Sequence, residues 1–254
     1  MITFLTVFLT GIFSGFVDAI AGGGGLIMIP GLIVVGLPIT SVIATNKLCG
    51  TFGALTSSIK YSKEKHVDWK SFVYMGIPAI IGSFFGSRSL NFLPQEYAEP
   101  LVILLLVFIT LFVLLKPDFG EAKNENLSLT EQYDNDKIAK LLILGIIIGF
   151  HDGFFGPGTG TFIIFALVSV LKFDFLRGTG TAKVINLMTN LTALLSFIFI
   201  GNIRFTEGIT GALGVIIGAY LGSSFATKKG AKFIKPVFVT ITVILIGKLI
   251  WEYL

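Results

Sequence analysis

Four charged side chains stand where an apolar chain has least use for them: Asp18 and Lys47 in the first half of these 254 residues, Asp152 and Lys183 in the second. A lysine inside a membrane span costs roughly 2.5–3.5 kcal/mol on insertion scales, so it faces a cavity or a partner. Two such cations with neutral donors beside them are equipment for holding a small anion. Thr45, Asn46, Thr179, Thr181, Asn186 and Asn190 supply those donors along the same stretches. Each suits the oxygens of an oxyanion, and each can equally bond a neighbouring helix. For the lysines, the competing reading is snorkelling or structural pairing with the acids. Either aspartate could carry a proton when buried, cap the backbone N–H groups that follow it, or pair with a lysine. His151 has a ring that ordinarily titrates near neutral pH, although a lone histidine more often just forms a hydrogen-bonded wall.

Each aspartate lies four residues before a glycine-rich break, Gly22-Gly23-Gly24-Gly25 in the first half and Gly156-Pro157-Gly158 in the second. Glycine lets the chain turn with positive φ and lets a ligand approach the backbone. A helix broken at membrane depth exposes N–H groups that favour anions and carbonyl ends that favour cations or protons. Breaks of this kind at matching positions of two halves are a pointer to a secondary transporter. The plainer role of these glycines is close helix packing. Arg177, at a helix start, reads as a topology charge and Cys49 as packing. No metal-ligand cluster, nucleotide-binding glycine loop or nucleophile–base pair is present, so no cofactor and no enzyme activity are expected.

The matching positions are those of a duplication. Gly15, Phe16, Asp18, Gly22 and Gly24 recur 134 residues further on; Thr45, Lys47, Leu55, Thr56, Ile80, Ile81, Gly82, Gly86, Ser87 and Pro100 recur 136 further on. A two-residue insertion between Leu26 and Ala44, or their counterparts, accounts for the change. The chain is 54% hydrophobic and 13% charged, with a mean hydropathy of +0.88. A soluble domain carries about 25% charged residues, so the composition demands a lipid environment. A single cysteine excludes an internal disulfide. Residues 1–12 carry no positive start and no small-residue cleavage site, and read as part of a first span.

The elements that must position the four charges are five segments per half: 2–20, 26–37, 41–59, 71–89 and 98–115, then 138–155, 159–171, 177–200, 207–226 and 236–253. Most approach the roughly 20 residues that cross a bilayer core. The second of each half is too short and fits a half helix or re-entrant segment, tolerated only where protein or a water-filled cavity surrounds it. The expected fold is therefore all-α and multi-pass, with one repeat over 1–116, a polar linker over 117–137 and a second repeat over 138–254. Lys60, Lys63, Lys65 and Lys70 follow the third segment of the first half, against Arg204 alone in the second. Lys228, Lys229, Lys232 and Lys235 follow the fourth segment of the second half, against Arg88 alone in the first. Under the positive-inside rule the repeats are inverted, the linker is cytoplasmic and both termini are external.

These motifs resemble the TauE/SafE family of sulfite and organosulfur-anion exporters. The first-half pattern is Asp18-Ala19-Ile20-Ala21-Gly22-Gly23-Gly24-Gly25 with Gly36-Leu37-Pro38 and Ala44-Thr45-Asn46-Lys47-Leu48. The second runs from Gly149-Phe150-His151-Asp152-Gly153 through Gly160, with Lys183-Val184-Ile185-Asn186 and Asn190-Leu191. The resemblance covers essentially the whole chain. It implies a multi-pass plasma-membrane permease for sulfite, sulfonates or related anions, driven by an ion or proton gradient. One departure is Thr181, where members often carry a histidine two residues before the second-half lysine. The combined expectation is an anion site formed by Lys47, Lys183, Thr45, Asn46, Thr181, Asn186, Asn190 and the two glycine breaks. Asp18, Asp152 and His151 are the expected proton carriers. The expected partners are the anion and the bilayer, with homodimer formation open and no nucleic acid. An anion channel or a membrane enzyme acting on a sulfur compound are the alternatives.

Overall fold

The computed structural model of the protein describes residues 2–89, 107, 108, 111, 115, 132–200 and 203–253. Among them every regular element is helical: α1 (Ile2–Ala21), α2 (Gly25–Val34), α3 (Ile39–Lys63), α4 (Trp69–Ser71), α5 (Ile77–Ser89), α6 (Asn135–Phe154), α7 (Thr159–Leu171), α8 (Phe175–Ile200), α9 (Phe205–Lys229) and α10 (Ala231–Tyr253). A wider π-helical turn, Phe72–Gly76, joins α4 to α5. It lies just before Pro78, whose ring nitrogen cannot donate back into the preceding turn. Most of the expected segment 98–115 and of the linker 117–137 falls outside the described residues.

α1, α8 and α9 are each long and apolar enough to cross a membrane. Phe13, Phe85, Ile147, Phe199 and Leu213 stand exposed on the outer faces. An exterior this apolar is a surface for lipid and not for water. By contrast α2 has 10 residues and α7 has 13. At 1.5 Å per residue they are about 15 and 20 Å long, short of the roughly 30 Å hydrocarbon core.

Glycine rows decide which helices meet. A Cβ on Gly11 would meet the carbonyl oxygen of Gly211, one on Gly15 that of Val215, and one on Gly222 that of Phe16. α1 and α9 thus lie backbone to backbone and ascend together. The same seam recurs with the halves exchanged: Gly145 faces the carbonyl of Met75, Gly149 that of Ala79, and Gly86 that of Phe150. So α6 and α5 form the second close pair. Each half's first helix is packed on the other half's fourth, in register with the 134- and 136-residue offsets. Gly208 faces Leu48, Gly211 faces Cys49 and Gly53 faces Val215, so α3 runs in the same sense as α9 and α1. Residues 64–68 then turn the chain back, and α5 descends beside α6.

Candidate functional site

α1 ends where Gly22 takes φ +79°. A side chain there would be strained and would collide with the backbone of Gly160. The carbonyls freed at this end are satisfied by the other layers: Tyr61 Oη donates to Ala19 O at 2.8 Å, and Thr161 Oγ1 donates to Ala21 O at 2.7 Å. Inside a membrane such carbonyls cannot be left to water. The chain then doubles back, Ser14 Oγ donating to Gly24 O at 2.8 Å, so that α2 starts beside the end of α1. In the second half α6 ends in the same way. Gly156 and Gly158 take φ +98° and +81°, and Thr159 Oγ1 donates to Gly156 O at 2.8 Å.

These two ends enclose a cavity of about 30 Å³. One water needs roughly 10–15 Å³ by this measure, so the space suits two or three waters or one small ion. Of the residues expected from sequence, its wall includes Asp18, Gly22, Gly24, Gly25, Asn46, Lys47, Asp152, Gly156, Asn186 and Asn190. Ser14, Cys49, Gly50, Gly160 and Val215 also line it, and none of them was among the expected site residues. They carry no charge, and only their place in the helix seams brings them to the wall. Lys183, Thr45, Thr181, Gly23, Pro157, Gly158, His151 and Thr179 are not on the wall.

The charges cross between the halves. Lys47, 1% exposed, places Nζ 2.7 Å from Asp152 Oδ1. Lys183, fully buried, places Nζ 2.9 Å from Asp18 Oδ2. Asp18 does a second job, since its Oδ1 accepts from Gly24 N at 3.2 Å. Of the roles open to the aspartates, pairing holds for both and capping for Asp18. Lys47 sits against Gly156, where a Cβ would come within 2.6 Å of its ammonium. The absence of that side chain makes room for the cation. His151 lies one residue from the wall; its Nδ1 is 3.1 Å from Thr159 Oγ1. Lys47, Asp18 and Asp152 thus line the cavity, while Lys183 lies behind the wall on Asp18; of the competing readings of the lysines, pairing with the acids holds for both.

The hydroxyls of Thr45 and Thr181 are used elsewhere. Thr45 Oγ1 accepts from Arg204 N at 3.1 Å, and Thr181 Oγ1 from Asp68 N at 2.9 Å. Both pairs are related by the 136-residue offset, and each ties a loop backbone of one half to α3 or α8 of the other. Asn190 Nδ2 donates to Asn186 O at 2.7 Å, leaving its Oδ1 towards Gly50. Arg177 does more than mark topology: it pairs with Asp68 through Nη2 and stacks on Phe173. Asp68 is also bonded by Ser71 and Tyr133. Burial pushes the Asp68 carboxyl up, but the hydrogen bonds from Tyr133, Ser71 and Arg177 outweigh it and hold it below the usual carboxylate range.

The family model described as sulfite exporter TauE/SafE matches residues 7–249. A probable membrane transporter protein, ORF9, of Sinorhizobium sp is 33% identical over 244 residues, covering 96% of this chain and 91% of its own. The probable membrane transporter protein YfcA of Escherichia coli K12 is 31% identical over 246 residues, covering 97% and 89%. A probable membrane transporter protein of Haemophilus influenzae is 31% identical over 250 residues, covering 97% and 94%. No solved structure matches the chain.

Proposed function

The chain belongs to the sulfite exporter TauE/SafE family, and from that membership we propose that it carries small sulfur-containing anions, sulfite or sulfonates, through the membrane by proton-coupled alternating access. It is a multi-pass membrane transporter, as its curated relatives are named. The observation that carries the finer reading is the pair of crossed lysine–aspartate bridges beside a small cavity. A desolvated oxyanion needs a cation whose charge is not already spent. Lys47 and Lys183 are both already paired. Protonating one aspartate frees its lysine, so a proton and an anion occupy the site together, and neither enters as readily alone. The start of α2 at Gly25, beside the same cavity, adds the positive end of a helix dipole.

The inverted arrangement of the repeats and the placement of the linker in the cytoplasm belong to the same proposal. The opposed lysine biases of equivalent loops support them, as do the opposed senses of α1 and α6 implied by the glycine seams. The test is uptake of labelled sulfite into proteoliposomes holding the purified protein, with and without an imposed pH gradient. Gradient-driven accumulation competed by other sulfur anions is the expected result. Equilibration indifferent to the gradient would make the protein a channel or uniporter, and no sulfite flux would remove sulfite as substrate.

A further inference from the structure

We infer that the two ion pairs, equivalent by repeat, have different jobs: Asp152 alone binds and releases the coupled proton, while Asp18 is a fixed cap. This deepens the transport reading above and rests on it. The difference lies in the second carboxylate oxygen. Asp18 uses both, Oδ2 on Lys183 and Oδ1 on the N–H of Gly24. That amide belongs to the turn from α1 into α2, so the carboxylate holds the break together. Protonating it would break a bridge and weaken a cap at once.

Asp152 has only Lys47. Its Oδ2 is buried and has no hydrogen-bond partner among the described residues, and the side chain is 2% exposed against 16% for Asp18. A buried ionised oxygen without a donor is costly, and a proton is the smallest thing that can satisfy it. One residue away, His151 Nε2 is also buried and without a partner among the described residues, while the repeat-equivalent position in the first half is Val17. Only the second half therefore carries two idle polar atoms on one helical turn beside the cavity.

The charged and titratable neighbours are few. Lys47 on α3 pairs with Asp152, His151 lies on its own helix, and Asp18 on the cavity wall pairs with Lys183 behind it. α7 carries no charge, and α5 carries only Arg88, whose guanidinium lies over Phe84 in the last turn. In α4 and the π-turn, Lys70 lies over Tyr133 and Tyr74 packs against the same ring. The other charge of α8, Arg177, pairs with Asp68. In the step, a proton adds to Asp152 Oδ2 to give the carboxylic acid. The bridge from Lys47 to Oδ1 loosens, and the ammonium turns to the anion. Loss of that proton restores the bridge and expels the anion. Lys47 already lines the cavity, so its ammonium need only turn within it.

Infrared difference spectra of the purified protein across a pH range decide the assignment without any substrate. The wild type is expected to show one pH-dependent carboxylic-acid carbonyl band assigned to this site. Asp152→Asn removes it, Asp152→Glu shifts it, and Asp18→Asn leaves it in place. A band that survives in Asp152→Asn, disappears in Asp18→Asn or is absent from the wild type overturns the proposal. If Asp152→Asn does not fold, the shift in Asp152→Glu carries the test. In proteoliposomes, Asp152→Asn is expected to lose gradient-driven sulfite accumulation yet still exchange labelled for unlabelled sulfite, whereas Asp18→Asn, though slower, stays gradient-dependent. Sulfite flux missing from the wild type would count against the substrate reading alone, since the infrared arm is independent of it.

Discussion

Replacing Gly222 by alanine tests the seam on which the arrangement hangs. An added Cβ would lie 2.5 Å from the carbonyl oxygen of Phe16, 3.0 Å from the Cβ of Ala19 and 3.1 Å from the Cα of Phe16. Ordinary contact begins at 3.4 Å, so α1 and α9 must part by about 0.9 Å at this level. The opposing atoms are mainly backbone and cannot swing aside. A gap of 0.5–1 Å forfeits roughly a quarter to a half of each dispersion well along the seam, and overpacking of this kind costs about 1–3 kcal/mol. For a chain of this length that lowers the unfolding midpoint by roughly 2–12 °C. The control is Gly247→Ala in α10, where no described residue lies within 4 Å of the added carbon; it is expected to be neutral or to stabilise by about 0.5–1 kcal/mol. The assay is thermal unfolding of the two variants in one detergent, followed by tryptophan fluorescence. Gly86→Ala, the repeat-equivalent change against Phe150, should behave like Gly222→Ala. If Gly222→Ala unfolds with the wild type, the close backbone seam between α1 and α9 is refuted.

Lys47→Ala and Lys183→Ala are each expected to abolish transport; the first strands the buried Asp152 carboxylate at a cost of about 3–5 kcal/mol, and the second costs less, because Asp18 is partly exposed and keeps its bond from Gly24 N. The double variant Lys47→Met with Asp152→Leu should recover much of that stability without recovering transport. A double variant no more stable than Lys47→Met would show that the bridge is not the source of the loss. Asp68 provides a pH-dependent test outside the spans. Its folded carboxyl sits below the ordinary range despite the opposing pull of burial, so its contribution is present above the unfolded value of about 3.9 and is lost as pH falls through the folded one. The unfolding midpoints of wild type and Asp68→Asn should therefore differ at neutral pH and converge in acid; a constant gap would refute the account.

Much of this arrangement was legible in the residues, because charges and glycines are conspicuous in apolar sequence. The limits of α7 coincide with the expected 159–171. Ends set by local hydrogen bonds were harder to place. α6 begins at Asn135 because Asp134 accepts from the N–H of Lys137, which draws the last residues of the polar linker into the helix. α10 begins at Ala231, five residues before Pro236, since a proline in the second turn forfeits one hydrogen bond without stopping the helix. At the site, the four charges could be picked out as costly and thus purposeful. Their crossed pairing could not, because it depends on α1 lying on α9 and α6 on α5. Thr45 and Thr181 show the complementary limit. Their hydroxyls are visible in sequence, but they bond to the backbone N–H groups of Arg204 and Asp68, and every residue except proline has such a group.

The crossed bridges also impose a schedule on biosynthesis. Lys47 leaves the ribosome 105 residues before Asp152, and Asp18 leaves it 165 residues before Lys183. A first half already threaded into the membrane therefore waits, holding an ammonium and a carboxylate whose counterions have not been made and an α1 whose packing partner, α9, is made later still. Release of the early helices into lipid one at a time would expose those charges. The half-made chain has reason to stay at the insertion machinery until α9 emerges, and a nascent chain that stops before Asp152 presents a charged span that quality control can recognise.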